Sequence, residues 1–137
     1  MAAVVANPQA DRYPLMRIYK EFMFDAAHYL PGAPEGHPNR RVHGHSFRVT
    51  VWLDGEVSPD TGLVRHFEDF EREIERFRDK LDHHMLNEIE GLENPTLEHI
   101  AIWLWKELKG PLPELARIEI HRASCREGCV YDGPGNK

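Results

Sequence analysis

Histidine is the residue whose number and spacing most directly suggest chemistry in this chain, which has nine histidines among 137 residues. His43 and His45 flank Gly44, so in an extended chain both imidazoles point to the same face. His28 ends an earlier apolar segment and shares the parity of Phe24. If the two segments pair as strands, three imidazoles can converge, and three neutral imidazoles with an open fourth position are typical of catalytic Zn²⁺. The alternative is three ordinary histidines near strand ends, and the His-Gly-His spacing alone does not exclude it.

A carboxylate beside a histidine forms a second constellation, at Asp82-His83-His84. Such a carboxylate can orient an imidazole and stabilise its charged form for proton transfer. The alternative is that these histidines follow a helix because the negative end of the helix dipole favours them. Spacing alone favours this second interpretation.

The composition is that of one soluble globular domain. Acidic residues outnumber basic ones, 23 to 17, which argues against binding to nucleic acid or to an anionic membrane. No apolar run is long enough for a membrane span and no signal sequence is evident, so we expect a cytoplasmic protein. We expect a flexible tail over residues 1–14, one domain over 15–133 and a loose end over 134–137. Cys125 and Cys129 are interpreted as reduced structural thiols.

The hydrophobic pattern predicts an α+β fold in the order β-β-α-α-β-β, an antiparallel sheet with two helices on one face. A Pro- and Gly-rich loop separates the first two strands, and Thr96 is a plausible N-cap of the second helix. The predicted elements are a strand that alternates over Met16–Phe24 and ends at His28, a loop over Tyr29–Arg41, a strand from Ser46 to Asp54, a helix with its stripe from Phe67 to Leu81, a helix from Thr96 to Gly110, a strand over Arg117–Arg122 and a strand at Val130-Tyr131.

Several segments together resemble the 6-pyruvoyl tetrahydropterin synthase family, in particular its bacterial 6-carboxytetrahydropterin synthase (QueD) branch. They are Phe24-Asp25-Ala26-Ala27-His28, His43-Gly44-His45-Ser46-Phe47, Asp60-Thr61-Gly62, Leu81-Asp82-His83-His84, Leu86-Asn87, Leu92-Glu93-Asn94-Pro95-Thr96, Glu98 and Gly128-Cys129-Val130-Tyr131. The resemblance runs from about Met16 to Gly133. It implies a tunnelling fold (T-fold) and a homohexamer built as a dimer of trimers, with active sites at the subunit interfaces.

The resemblance also implies roles for individual residues. Zn²⁺ would be bound by His28, His43 and His45, and Asp82 with His83 would form a proton relay. The implied substrate is 7,8-dihydroneopterin triphosphate. The QueD branch removes triphosphate and acetaldehyde and leaves 6-carboxytetrahydropterin, on the route to queuosine.

This chain departs from the family pattern where the family places its base and its pterin contacts. Asn39 stands where QueD has the cysteine base, and a neutral amide cannot take up a proton at neutral pH. Ala123 replaces a glutamate that binds the pterin edge, and Leu97 replaces a polar residue after the Pro95-Thr96 pair. His66 stands where aspartate is usual. The predicted metal ligands thus match the family pattern, whereas the residues expected to contact the substrate differ from it.

Other carboxylates could replace the missing groups. Glu35, or His37 in the same loop, could act as the base, and Glu35 is preferred. Glu127 or Glu119 could contact the heterocycle in place of the missing glutamate. The predicted substrate-binding residues are therefore Asn39, Thr96, Leu97, Ala123 and Glu127. The sequence then allows three functions. They are a QueD-type lyase, a T-fold zinc enzyme with a changed pterin- or purine-like substrate, and a catalytically inactive homologue that binds a heterocycle or a partner.

Overall fold

The computed structural model describes residues 15–135, and these form one antiparallel sheet with two helices packed against it. The predicted tail over residues 1–14 and the last two residues of the predicted loose end lie outside the described residues. The strands are β1 (Leu15–His28), β2 (His43–Glu56), β3 (Leu115–Arg122) and β4 (Glu127–Tyr131); the helices are α1 (Phe67–Leu81) and α2 (Leu97–Lys109). The α+β class and the β-β-α-α-β-β order are confirmed.

The strand order β1-β2-β3-β4 makes each strand antiparallel to its neighbour in sequence. β1 ends at His28, as predicted, whereas β2 is longer than predicted because it starts at His43 rather than after His45. The short residues between Phe24 and His28 carry a weak strand signal by themselves, yet they pair in register with the start of β2. The two strands therefore end with His28 directly opposite His43.

The two helices begin and end close to their predicted positions. Thr96 caps α2, because its hydroxyl oxygen accepts a hydrogen bond from the backbone N–H of His99 at 3.1 Å. At the start of α1, His66 makes no such side-chain bond. The predicted α1 stripe is buried except for its first member, Phe67, which is exposed at the start of the helix.

The core lies between the helices and one face of the sheet, because alternate strand residues point toward the helices. In β1 the buried residues are Phe22, Phe24, Ala26 and His28, and in β2 they include Phe47, Val49, Val51 and Leu53. The site at the ends of β1 and β2 is thus held by a continuous core. In residues 15–135, neither helix is both long and apolar enough to cross a membrane. A cytoplasmic location stays a prediction.

Candidate active site

Three histidines converge at the end of the β1–β2 pair, on the face that the helices cover. We call His28, His43 and His45 the histidine cluster. Their ring centroids lie 4.5 to 5.2 Å apart, and one nitrogen of each ring lies within 4.8 Å of a nitrogen of the others. His28 is fully buried, and the other two are half-buried. The convergence follows from the register, because alternation puts His43 and His45 on the same face as His28.

Backbone carbonyls set the tautomer of two of these rings. Nδ1 of His28 donates to the carbonyl oxygen of Pro95 at 2.9 Å, and Nδ1 of His43 donates to that of Arg41 at 2.7 Å. Each bond leaves the lone pair of Nε2 free for another partner. Histidines that ligate metals are usually held through their other nitrogen in this way.

The environment favours the neutral form of His28 and His45 and leaves both rings partly unsatisfied. Burial lowers the pKa of His28 to about 4, and burial together with the Arg122 cation lowers the pKa of His45. Nε2 of His28 and Nε2 of His45 are buried, and neither has a hydrogen-bond partner within residues 15–135. Buried polar nitrogens are rarely left unpaired in proteins, so we expect these two atoms to bind a ligand. Neutral imidazoles with free lone pairs fit a divalent metal ion such as zinc.

Asp82 and His83 lie beside the cluster and form what we call the Asp82–His83 dyad. Nδ1 of His83 donates to a carboxylate oxygen of Asp82 at 2.8 Å, and the other oxygen accepts the backbone N–H of Asp25 at 2.9 Å. These bonds hold the pKa of the Asp82 carboxyl below its usual range, first through the Asp25 N–H and then through His83. The carboxylate is therefore ionised at neutral pH and can stabilise a charged imidazole.

The backbone around the dyad is bonded to β1. His83 has a φ of 59°, in the left-handed region, and its N–H donates to the carbonyl of Asp25 at 2.7 Å. The N–H of Ala27 donates to the carbonyl of His84 at 3.1 Å, and Ser46 donates to the Asp25 carboxylate. A left-handed conformation is unfavourable for a non-glycine residue and persists only where surrounding contacts hold it. His83 also directly follows the C-cap residue Asp82 of α1, so the helix dipole favours a charged imidazole at this position as well.

One cleft of about 730 Å³ contains parts of both groups. His45 from the cluster and His83 from the dyad line it, together with Asp25, Ala26, Ala27, Gly44, Ser46, His84, Met85 and Ser124. A molecule in this cleft can therefore contact His45 and His83 at once.

The loop between β1 and β2 carries the three residues considered for the base. Its ends are joined by a 2.7 Å bond from the N–H of Leu30 to the carbonyl of Asn39. Glu35 and His37 are exposed, and Asn39 is half-buried. His37 begins a single helical turn over Pro38–Arg40, where its Nδ1 accepts the N–H of Asn39 at 3.0 Å.

The residues predicted to contact the heterocycle occupy different environments. Thr96 is half-buried and caps α2, whereas Leu97 is buried in the core. Ala123 is exposed, and Glu127 pairs with Arg122 at 2.7 Å. Glu119, on β3, accepts from the indole N–H of Trp52.

Sequence reasoning missed the groups that hold the site in place. The Pro95 carbonyl comes from the loop before α2 and orients His28. Asn87 also binds this region, because its side chain accepts the N–H of Tyr29 at 3.0 Å and donates to the carbonyl of Tyr29 at 2.8 Å. Both residues lie in segments that resemble the family, which was the available signal. Neither carries a recognisable chemical role by type alone.

The two cysteines are free thiols. Cys125 is exposed and Cys129 is half-buried. Burial, with Glu98 nearby, raises the pKa of the Cys129 thiol to about 11. A thiol in that range is almost entirely protonated at neutral pH, so Cys129 does not supply a thiolate base.

Comparison with known proteins defines the class. The profile of the family described as 6-pyruvoyl tetrahydropterin synthase matches residues 17–134, and the chain belongs to this family. A 6-carboxy-5,6,7,8-tetrahydropterin synthase of Synechocystis is 38% identical over 85% of this chain and 93% of its own length. A dihydroneopterin monophosphate aldolase of Pyrococcus furiosus is 33% identical over 82% of this chain and 90% of its own.

The fold agrees with that assignment. The solved structure of 6-pyruvoyl tetrahydropterin synthase from Caenorhabditis elegans superimposes with a TM-score of 0.79 at 26% identity, covering 88% of this chain and 96% of that one. The sheet with two helices on one face is therefore the T-fold of this family, as the resemblance implied.

Proposed function

We propose that this protein is a zinc-dependent lyase that acts on a phosphorylated dihydropterin, 7,8-dihydroneopterin triphosphate or a close analogue. The observation that carries the proposal is the histidine cluster, with ligand atoms within 4.8 Å of one another and two buried Nε2 atoms without a partner. Membership of a pterin-enzyme family supports the choice of ring, and the 38% identical relative supports the reaction.

The three histidines would hold the metal. Bound zinc would act there as a Lewis acid that makes the side-chain hydroxyls of the substrate more acidic. The carbonyls of Pro95 and Arg41 keep His28 and His43 in the tautomer that ligation requires. The depressed pKa of His28 removes proton competition for its ring nitrogen at neutral pH.

The dyad would transfer a proton. Asp82 holds Nδ1 of His83, so Nε2 of His83 is the atom left to exchange a proton with the substrate. The side chain of His83 is 79% exposed, whereas that of Asp82 is 19% exposed. The orienting carboxylate is thus fixed in the protein, and the imidazole is accessible to a molecule in the cleft.

Glu35 is our candidate for the base that replaces cysteine. Asn39 has no basic lone pair. His37 already uses Nδ1 to accept a hydrogen bond, so its neutral form carries a hydrogen on Nε2 and offers no free basic nitrogen. Glu35 is exposed and lies two residues before His37, and its side chain carries a carboxyl group that can act as a general base.

Substitution of Glu35 tests this assignment. Glu35→Gln should lower kcat by about 10² to 10⁴, the range for loss of a general base. His37→Gln is the matched control from the same loop and should retain most activity. Full turnover by Glu35→Gln would show that the base is elsewhere.

A second candidate function is an aldolase reaction on the same kind of substrate. The relative named dihydroneopterin monophosphate aldolase favours it. Such a reaction breaks a carbon–carbon bond of the side chain and releases a phosphorylated two-carbon aldehyde. The histidine cluster and the dyad could serve both reactions, since each needs an acidified hydroxyl and a proton transfer.

One assay separates these functions. Protein of measured zinc content is incubated with 7,8-dihydroneopterin triphosphate or monophosphate, and the products are identified by mass. Formation of 6-carboxytetrahydropterin supports the first function, and release of the phosphorylated aldehyde supports the second. Zinc near one per chain without either product would favour a changed substrate, and heterocycle binding without any turnover would favour the inactive homologue.

We also propose that the protein assembles as a homohexamer, a dimer of trimers. β1 and β4 are the edge strands of the described sheet, and edge strands readily pair with another chain. The sheet face away from the helices exposes Tyr19, Met23 and Val130, which assembly would cover. Sedimentation at micromolar concentration tests this, and a stable monomer would contradict it.

A further inference from the structure

Arg122, the last residue of β3, lies on the same face of the sheet as the histidine cluster. Ile120 pairs with Val49, and side chains alternate along a strand, so Arg122 projects on the helix-covered face. Phe47 and His45 belong to that face of the neighbouring strand β2. The proximity also shows in the electrostatics, because the Arg122 cation contributes to the lowered pKa values of His28 and His45.

The guanidinium of Arg122 is largely buried but only partly satisfied. Its side chain is 17% exposed, and Nε is buried without a hydrogen-bond partner. A terminal nitrogen contacts a carboxylate oxygen of Glu127 at 2.7 Å, and the Glu127 side chain is 49% exposed. A guanidinium has five N–H donors, so this contact leaves donors for a second acceptor.

Arg122 places a positive charge close to the histidine cluster, since it contributes to the lowered pKa of His28 and of His45. Ala123, next along the chain, supplies no carboxylate. The guanidinium of Arg122 lies beside the histidine cluster, which fits a divalent metal ion. The half-exposed Glu127 carboxylate pairs with this guanidinium. Because the Glu127 side chain is 49% exposed, its carboxylate can turn to solvent and leave Arg122 to another acceptor.

We propose that Arg122 binds an oxyanion of the substrate beside the histidine cluster, and that Glu127 occupies the guanidinium until this anion replaces it. The planar fork of arginine matches phosphate and carboxylate equally, so the ligand is either a phosphate or a carboxylate group. The inference rests on the proposed function, because a phosphorylated dihydropterin carries its phosphate on the side chain whose hydroxyls the metal would bind.

Anion binding without any pterin tests the proposal. Inorganic triphosphate and acetate are titrated calorimetrically into the purified protein and into three variants, with thermal unfolding as a check of the fold. Arg122→Gln should weaken binding by about tenfold or more, the loss expected for a charge-assisted hydrogen bond. Glu127→Gln should tighten it, because the competing carboxylate is gone. Arg126→Gln is the matched control, since Arg126 is an exposed arginine in the adjoining turn.

The opposite signs of the Arg122 and Glu127 effects distinguish recognition from a structural role, which would weaken binding in both variants. If Arg122→Gln does not fold, Arg122→Lys keeps the charge without the fork and should bind the anion more weakly than wild type. Binding of triphosphate alone identifies phosphate as the ligand, and binding of acetate alone identifies a carboxylate. No binding by wild type, or equal binding by wild type and the Arg122 variant, would overturn the proposal.

Kinetics distinguish a failure of this inference from a failure of the proposed function. On phosphorylated dihydroneopterin, Arg122→Gln should raise KM and leave the KM for the dephosphorylated compound unchanged. If wild type turns over neither compound, the lyase proposal fails, but the calorimetric result still decides whether Arg122 binds anions.

Discussion

The two halves of the candidate site lie at the same end of the sheet but are built differently. The histidine cluster is on the helix-covered face, where His28 is fully buried and its ring is fixed by the Pro95 carbonyl. The Asp82–His83 dyad is on a loop, where His83 is 79% exposed. In the histidine cluster, burial is the main influence, because it favours the neutral form of His28 and His45. In the Asp82–His83 dyad, hydrogen bonds with the backbone of Asp25 are the main influence, because they hold the ionised Asp82 carboxylate beside the accessible His83 ring.

This difference matches the proposed tasks. A metal ligand must be neutral and immobile before the metal arrives, which desolvation and a fixed tautomer provide. A proton-transfer group must reach the substrate and change its charge, which burial would oppose. The comparison predicts that changes in one half should leave the other half working.

The largest expected effect is on metal binding. His45→Ala leaves two ligands, so zinc content should fall from about one per chain to a small fraction, and turnover should be lost with it. Elemental analysis after dialysis measures this. His66→Ala, which removes an exposed histidine without a capping bond, should retain its zinc. Normal zinc in His45→Ala would show that the cluster is not the metal site.

A smaller effect is expected from the dyad. Asp82→Asn removes the charge that stabilises a protonated His83, so kcat should fall by about 10² to 10⁴ with zinc content unchanged. Asp79→Asn, on an exposed carboxylate of α1, is the matched control. Loss of zinc in Asp82→Asn, or full kcat, would contradict the separation of the two halves.

The smallest expected effect is on the free energy of unfolding, and it concerns the N-terminal caps of α1 and α2. Thr96→Ala removes the cap of α2, next to the carbonyl that orients His28, and should cost about 0.5 to 2 kcal/mol of unfolding free energy. His66→Asp should add a cap to α1 and stabilise the protein by about 1 kcal/mol or less. Denaturant unfolding of the metal-free protein measures both. Equal stability of wild type and Thr96→Ala would show that the cap contributes nothing.

Local signals in the sequence predicted much of the fold. The apolar stripes of α1 and α2 and the cap at Thr96 depend on neighbours within a few residues, so they can be read from the chain alone. The start of β2 was missed. The residues from His43 to His45 are held in a strand by pairing with the end of β1, earlier in the chain, rather than by their own propensity.

The candidate site shows the same division. The His43-Gly44-His45 alternation predicted two imidazoles on one face, and the structure confirms that placement together with His28. The roles of Arg122 and of the Asp25 backbone could not be predicted from the sequence, because the role of an arginine or a backbone amide depends on the residues that surround it in the fold. His83 was ambiguous for the same reason, since its left-handed backbone depends on contacts with β1.

What the sequence by itself determined is the set of elements and the residue types available for chemistry, since helical and strand periodicity and capping act over short separations. Its resemblance to the family indicated the T-fold and the histidines for the metal. Only the tertiary structure decided that His28 lies opposite His43, that Pro95 selects the His28 tautomer and that Arg122 lies beside the cluster. Those relations join residues that are distant in the chain, so they exist only once the sheet register and the helix packing bring the segments together.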